Sequence, residues 1–255
     1  MTEPESAPTL TVEQGLATIQ LNRPRHHNRL EPADIPVFGT LLARIEADPS
    51  VRVGVLRATG KTFCAGYDLA DLGRPLPPGA EEAGIGSLAA IFDRLEQCRV
   101  PTICALNGPV FGGGTDLALA CDFRVGVAGI RMVMPAATFG LHYYHSGMRR
   151  YVARLGLGAA KRLFLLGEPI DAAEMLRVGF LDEVVPDHAA LDARVGRMVA
   201  ALAGAASASV LNSMKQVLNA IASGDTDPTQ ADLAWQTTRR SRAVGEAVAA
   251  ARAGR

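Results

Sequence analysis

Lysine is almost absent from this chain: Lys61, Lys161 and Lys215 stand alone among 26 basic residues, which 26 acidic ones balance to a formal net charge of zero. A protein that grips a nucleic-acid backbone or an anionic bilayer by counterion release carries a basic excess, so neither partner is expected. Cysteine is scarce as well. Cys64, Cys98, Cys104 and Cys121 lie in or beside apolar segments without C-x-x-C spacing, which argues against zinc or a disulfide framework and for buried, reduced thiols. No apolar run is long enough to span a bilayer. Met1–Thr9 lacks the basic and apolar regions of a signal peptide, so a cytoplasmic location is expected by default.

What the chain does have is a core and glycine: 48% of residues are apolar, 20% charged, and 26 are glycine. That balance belongs to a soluble globular protein. The most informative stretch is Asn107–Asp122, NGPVFGGGTDLALACD, where Gly112–Gly114 bare the backbone just before an apolar helical run. A helix start built this way offers free N–H groups and the positive end of the helix dipole to a phosphate or an oxyanion. No Lys-Ser/Thr follows as a P-loop requires, and GGG fails the spaced-glycine pattern of a dinucleotide fold. A second half-site appears in Thr59–Leu72, TGKTFCAGYDLADL, where Gly66 marks a strand-to-helix turn and Tyr67-Asp68-Leu69 opens a short helix. Two free N–H donors aimed at one oxygen make an oxyanion hole.

These two motifs resemble segments of the crotonase (enoyl-CoA hydratase/isomerase) superfamily: FCAGYDL its FCAGADI-type segment, NGPVFGGGTDLALACD its NGxAxGGGxELAxxCD segment. The likeness runs from about Leu10 to the C-terminus and includes IQLNRP (19–24), VGVLRATG (53–60) and LLGEPIDAAEMLRVGFLDEVVP (165–186). It implies an α/β fold, a crotonase-type spiral of β-β-α units over about residues 1–187. A helical C-terminal region, 188–255, would supply trimer contacts and close the acyl pocket. It also implies an acyl-CoA thioester as substrate, with coenzyme A part of that substrate, no metal or redox cofactor, and a homotrimer or dimer of trimers.

Along the chain, Leu10–Glu13 and Leu16–Leu21 alternate around Gln14-Gly15 as a hairpin. Ile35, Phe38, Leu41, Leu42 and Ile45 follow at helical spacing. Val51–Leu56 and Thr102–Leu106 read as strands buried on both faces, and a helix is expected over 88–98. Gly73–Gly86 reads as a mobile loop over the site. Short strands at Phe123–Ala128 and Arg131–Met134 precede helices at 151–155, 159–166 and 172–178, the strand 181–185, and an Ala-rich helical tail with breaks near Gly204, Gly224 and Pro228.

By the resemblance, the oxyanion donors are the backbone N–H groups of Tyr67 and Gly113, and substrate contacts come from Arg25, His26, Ala65, Gly66, Asp68, Leu69, Gly112, Pro135, Ala136 and His142. Arg25 and His26 read equally well as a solvated loop. The family's hydratases carry two glutamates where this chain has Asp116 and Ala136. Asp116 near a helix start reads either as a catalytic acid or as a dipole-stabilising cap, and Ala136 leaves efficient hydration of simple enoyl-CoA substrates in question. In place of the second acid, Phe139–Gly147 gathers His142, Tyr143, Tyr144 and His145, and resembles methylmalonyl-CoA decarboxylase, with a tyrosine at the Tyr143 position. Decarboxylation of a malonyl-type thioester, with Tyr143 holding the carboxylate and His142 or His145 as proton donor, is therefore the alternative reaction. A non-catalytic acyl-CoA binding protein is the third reading.

Overall fold

The computed structural model describes residues 6–73, 85–205, 207–225, 227–239, 244, 246 and 248–250. The expected loop over the site falls largely on 74–84, outside the described residues.

The chain opens with a hairpin, β1 (Ser6–Glu13) and β2 (Leu16–Asn22), whose turn residues Gln14 and Gly15 both have positive φ, the mirror-image turn that matches strand twist. Helix α1 (Asp34–Ala47) carries Pro36 in its first turn, where no intrahelical N–H is missed. It buries Phe38, Leu41, Leu42 and Ile45, as its spacing requires. Next come β3 (Val53–Ala58), the single-turn α2 (Leu69–Leu72) and α3 (Ile85–Glu96). β4 (Thr102–Leu106) is buried at every position and leads through β5 (Val110–Phe111) into α4 (Gly113–Leu119). β6 (Phe123–Val127) and β7 (Arg131–Val133) follow.

A departure from the expected boundaries comes at α5, a continuous element from His145 to Lys161 in place of a helix starting near Tyr151. Gly156, at φ 80°, kinks it where the sequence reading expects a break, and a π-helical turn over Arg162–Leu166 extends it. The element starts six residues early because Arg150 and Tyr151, polar in sequence, are turned inward and fully buried. Then come β8 (Ile170–Asp171), α6 (Ala172–Arg177) and β9 (Glu183–Val185). The tail forms α7 (His188–Ala203), α8 (Ala208–Ala222) and α9 (Thr229–Arg239), the first two capped by the side chains of Asp187 and Ser207.

The main sheet has the order β1-β2-β3-β4-β6-β9, parallel from β2 onward, and a smaller sheet has the order β5-β7-β8. A bridge between Cys64 and Val110 extends the small sheet to the segment after β3. β3, β4 and β6 thus each feed a short second-layer segment and then a helix, so the corners after these strands lie next to one another. Lys215 fastens α8 to this body by donating to Val100 O (3.0 Å) and pairing with Asp122 (2.8 Å). No single helix among the described residues is long and apolar enough to cross a membrane.

Candidate active site

Two of those corners meet. After β3, Phe111 N–H donates to Cys64 O (2.9 Å) and Ala65 N–H to His27 O (2.9 Å). Leu30 N–H then donates to Gly66 O (2.7 Å), and Asp68 N–H to Leu30 O (2.9 Å). This ladder uses the groups on either side of Tyr67 and leaves the Tyr67 N–H without a protein acceptor among the described residues. Asp68 accepts from Ala70 N–H and so caps α2. On the other corner Gly112 adopts φ 49°, donates to Val133 O (2.9 Å) and accepts from Thr115 N–H (2.9 Å). Gly113, first residue of α4, has an N–H with no intrahelical partner. A β-carbon on Gly66 would stand 3.0 Å from the Gly113 nitrogen, and one on Gly113 would stand 3.6 Å from the Tyr67 nitrogen. The two amides therefore lie side by side.

They line the wall of a cavity of about 250 Å³. Apolar side chains make most of the rest: Leu69, Leu72, Leu88, Phe111, Met134, Pro135, Ala136, Phe139 and Leu141. Three tyrosines also line it, Tyr67, Tyr143 and Tyr144. Tyr67 turns its hydroxyl to Asp71 (2.5 Å), while Tyr143 and Tyr144 turn theirs to Asp116. The described lining contains no carboxylate.

Asp116 lies behind the tyrosines with no exposed surface. Its Oδ1 accepts from Arg150 Nε (2.8 Å) and its Oδ2 from the Tyr144 hydroxyl, with the Tyr143 hydroxyl at 3.3 Å. Arg150, also without exposed surface, extends to Glu96 (2.7 Å) and Asp93 (3.1 Å), and Arg149 and Arg154 close on Glu96 from outside. The Tyr143 and Tyr144 rings stack with centroids 4.3 Å apart, and Phe164 backs Tyr143 at 5.3 Å. Gly147, on the first turn of α5, makes room for all of this: a β-carbon there would lie 2.5 Å from the Tyr143 ring, 2.7 Å from the Tyr144 ring and 2.8 Å from Asp116 Oδ2.

Of the residues singled out in the sequence, Ala65, Gly66, Tyr67, Leu69, Gly112, Gly113, Pro135, Ala136 and Tyr143 line the cavity together. Asp116 and Asp68 do not line it. His142 and His145 are exposed and outside the lining, and His142 Nδ1 is hydrogen-bonded to Tyr143 O. Arg25 and His26 are exposed on the 3-10 turn Pro24–His26, whose continuation at His27 is bonded to the Ala65 corner. No described residue of the tail lines the cavity. Tyr144, Arg150 and Glu96 carry the buried cluster without any local motif. Only the spacing of Tyr143, Gly147 and Arg150, four and three residues apart, hints at it.

Burial, then the negative charge of Asp116, pushes the Tyr143, Tyr144 and Tyr151 hydroxyls well above the usual tyrosine range, and burial with the Asp71 hydrogen bond does the same to Tyr67. These are all four tyrosines of the chain. The neutral phenol is favoured in the folded state, so this contribution to stability is complete below the unfolded value of about 10 and declines as pH rises beyond it. A tyrosinate absorbance titration is expected to show no ionisation of the native protein at about pH 10. All four should then ionise together with alkaline unfolding. A tyrosine that titrates normally in the folded protein would contradict this burial.

The sequence profile of the enoyl-CoA hydratase/isomerase family matches residues 11–246. Over 178 residues the chain is 32% identical to the short-chain-enoyl-CoA hydratase of Clostridium acetobutylicum, covering 69% of this chain and 67% of that protein. It is 34% identical over 196 residues to the (E)-benzylidenesuccinyl-CoA hydratase of Thauera aromatica, covering 72% of each. Among solved structures, the enoyl-CoA hydratase of Bacillus anthracis superposes with a TM-score of 0.88 at 26% identity, covering 98% of this chain and 97% of that one.

Proposed function

The chain belongs to the enoyl-CoA hydratase/isomerase family, and from that premise we propose that it binds an acyl-CoA thioester with the carbonyl oxygen between the Tyr67 and Gly113 amides and stabilises the enolate formed there. The single observation that carries this reading is the side-by-side approach of two unpartnered N–H groups on the wall of an apolar cavity. Negative charge builds on the thioester oxygen only as the transition state is approached. Preorganised donors therefore stabilise the transition state more than the neutral substrate. The Gly113 amide adds the positive end of the α4 dipole. An apolar lining suits an uncharged acyl chain and raises the strength of both hydrogen bonds by excluding water.

Addition of water across an enoyl thioester, or a shift of its double bond, is the reaction class this site fits. Decarboxylation of a malonyl-type thioester has less to draw on, since neither His142 nor His145 lines the cavity. The same reading places the enzyme in the cytoplasm as a homotrimer or dimer of trimers, with coenzyme A entering as part of the substrate. Its support is the four free, buried cysteines and the exposed apolar residues Val152 and Leu157 on α5 and Leu165 and Leu166 on the turn after it, which assembly would cover.

The test is catalytic. Hydration of crotonyl-CoA and exchange of the α-hydrogens of butyryl-CoA with deuterated water are both expected above background. Absence of both would remove water addition and double-bond shift as the reaction, and carbon dioxide release from methylmalonyl-CoA without either would put decarboxylation through the same enolate in their place.

A further inference from the structure

We propose that Tyr144 is the catalytic residue that exchanges protons with the substrate, that Asp116 is the buried end of a two-proton relay behind it, and that Arg150 is the positioning residue for Asp116. This rests on the thioester reading above and says how protons move in that site.

The geometry separates the acid from the cavity. Asp116 has no exposed surface, and both its oxygens are taken by side chains of α5 and the residue before it. Across the cavity Ala136 offers no ionisable group. Among the described residues, the groups that join cavity and carboxylate are the phenols of Tyr143 and Tyr144. Tyr144 is the shorter route, since it lines the cavity and its hydroxyl is bonded directly to Asp116 Oδ2. The Tyr143 hydroxyl stands farther from that oxygen, at 3.3 Å, and 3.1 Å from the Tyr144 hydroxyl, with its ring buried between Tyr144 and Phe164. Tyr143 thus orients Tyr144. Arg150 Nε holds Oδ1 and leaves Oδ2 to the phenols. Because burial and the neighbouring carboxylate favour the neutral phenol, no free tyrosinate forms and the two protons move together.

For addition of water to an enoyl thioester the step balances without a co-reactant. The water oxygen bonds to the β-carbon, and the double-bond electrons move through the α-carbon to the thioester oxygen. A water proton passes to the Tyr144 oxygen as the Tyr144 proton passes to Asp116 Oδ2. The enolate then collapses, its α-carbon takes a proton from Tyr144, and Tyr144 regains one from Asp116. One water is added and the enzyme returns to its starting state.

The experiment uses crotonyl-CoA as the probe with the full-length chain. Tyr144→Phe is expected to lower kcat by about a hundredfold with KM within about threefold of wild type, whereas Tyr143→Phe lowers it by less than about tenfold. In mixtures of light and heavy water the wild-type rate should fall along a curve, as two protons in flight require, and the Tyr144→Phe rate along a straight line. Arg150→Lys should lower kcat while leaving KM in place. A straight wild-type line overturns the relay whatever the variants do, and so does a Tyr144→Phe enzyme that keeps more than about a third of its kcat. A wild type inert toward crotonyl-CoA and butyryl-CoA removes the hydration reading and the relay together. Turnover shared by wild type and Tyr144→Phe removes the relay alone.

Discussion

Gly66→Ala is expected to lower the turnover of crotonyl-CoA by roughly 10²–10³-fold, the scale of losing one oxyanion donor. Gly66 sits at φ 87°, a conformation L side chains rarely adopt, and its β-carbon would stand 2.7 Å from Phe111 O and 3.0 Å from the Gly113 nitrogen. Neither neighbour is a flexible side chain. To admit the methyl, the Tyr67 corner and the Gly113 corner must move apart, and the two amides then no longer share one oxygen. Stability falls as well, by about 1–3 kcal/mol for overpacking. Gly129→Ala provides the control, since Gly129 also has positive φ (78°) but nothing stands within 4 Å of its β-carbon. That variant should lose about 1 kcal/mol and keep its kcat. A Gly66→Ala enzyme with wild-type kcat would mean that the amides of Tyr67 and Gly113 do not hold the reacting oxygen.

Arg150→Met is expected to produce the largest loss of stability, about 3–5 kcal/mol, seen as a fall in Tm of roughly 10 °C for a chain of this size. Methionine keeps much of the volume, so the loss is electrostatic. Arg150 is the shared partner of Asp116 and Glu96, at 2.8 and 2.7 Å, and Asp116 and Arg150 have no exposed surface. Without it Asp116 is left with phenols alone in a medium that solvates charge poorly. Arg149 and Arg154 still reach Glu96 from the outside, so the damage centres on Asp116 and the site behind the tyrosines. Arg150→Lys should recover only part of the stability, because a single ammonium cannot reproduce the planar fork that reaches three carboxylates. Thermal unfolding of the three proteins checks this. Equal Tm for Arg150→Met and wild type would show that the buried network contributes nothing net.

Much of the architecture was legible from short-range pattern. The helical spacing of Phe38, Leu41, Leu42 and Ile45, the unbroken apolar run of β4 and the Gln14-Gly15 turn each act through neighbours in the chain, so each appears in the sequence. The crotonase-type α/β spiral expected from the motifs is the fold of the solved relatives. The helix boundaries near Tyr151 were less legible. Hydropathy treats Arg150 as a surface residue, and only the carboxylates that gather around it from α3 and α4 allow it inside. His142, Tyr143, Tyr144 and His145 stood out together by residue type in the sequence, which gave roles to Tyr143 and the histidines and none to Tyr144. Type marks capacity for proton transfer, while position relative to a cavity is a property of the packed chain.

By itself, then, the sequence determined the family, the two glycine corners and the absence of an acid at Ala136, because those features depend on backbone freedom and residue identity along a continuous stretch. Only the tertiary structure decided that Asp116 faces away from the cavity, that Tyr144 stands between the two, and that Arg150 holds the carboxylate from behind. Those three facts are distances between side chains from α3, α4 and α5, and no pattern within one segment encodes how far apart two segments come to rest.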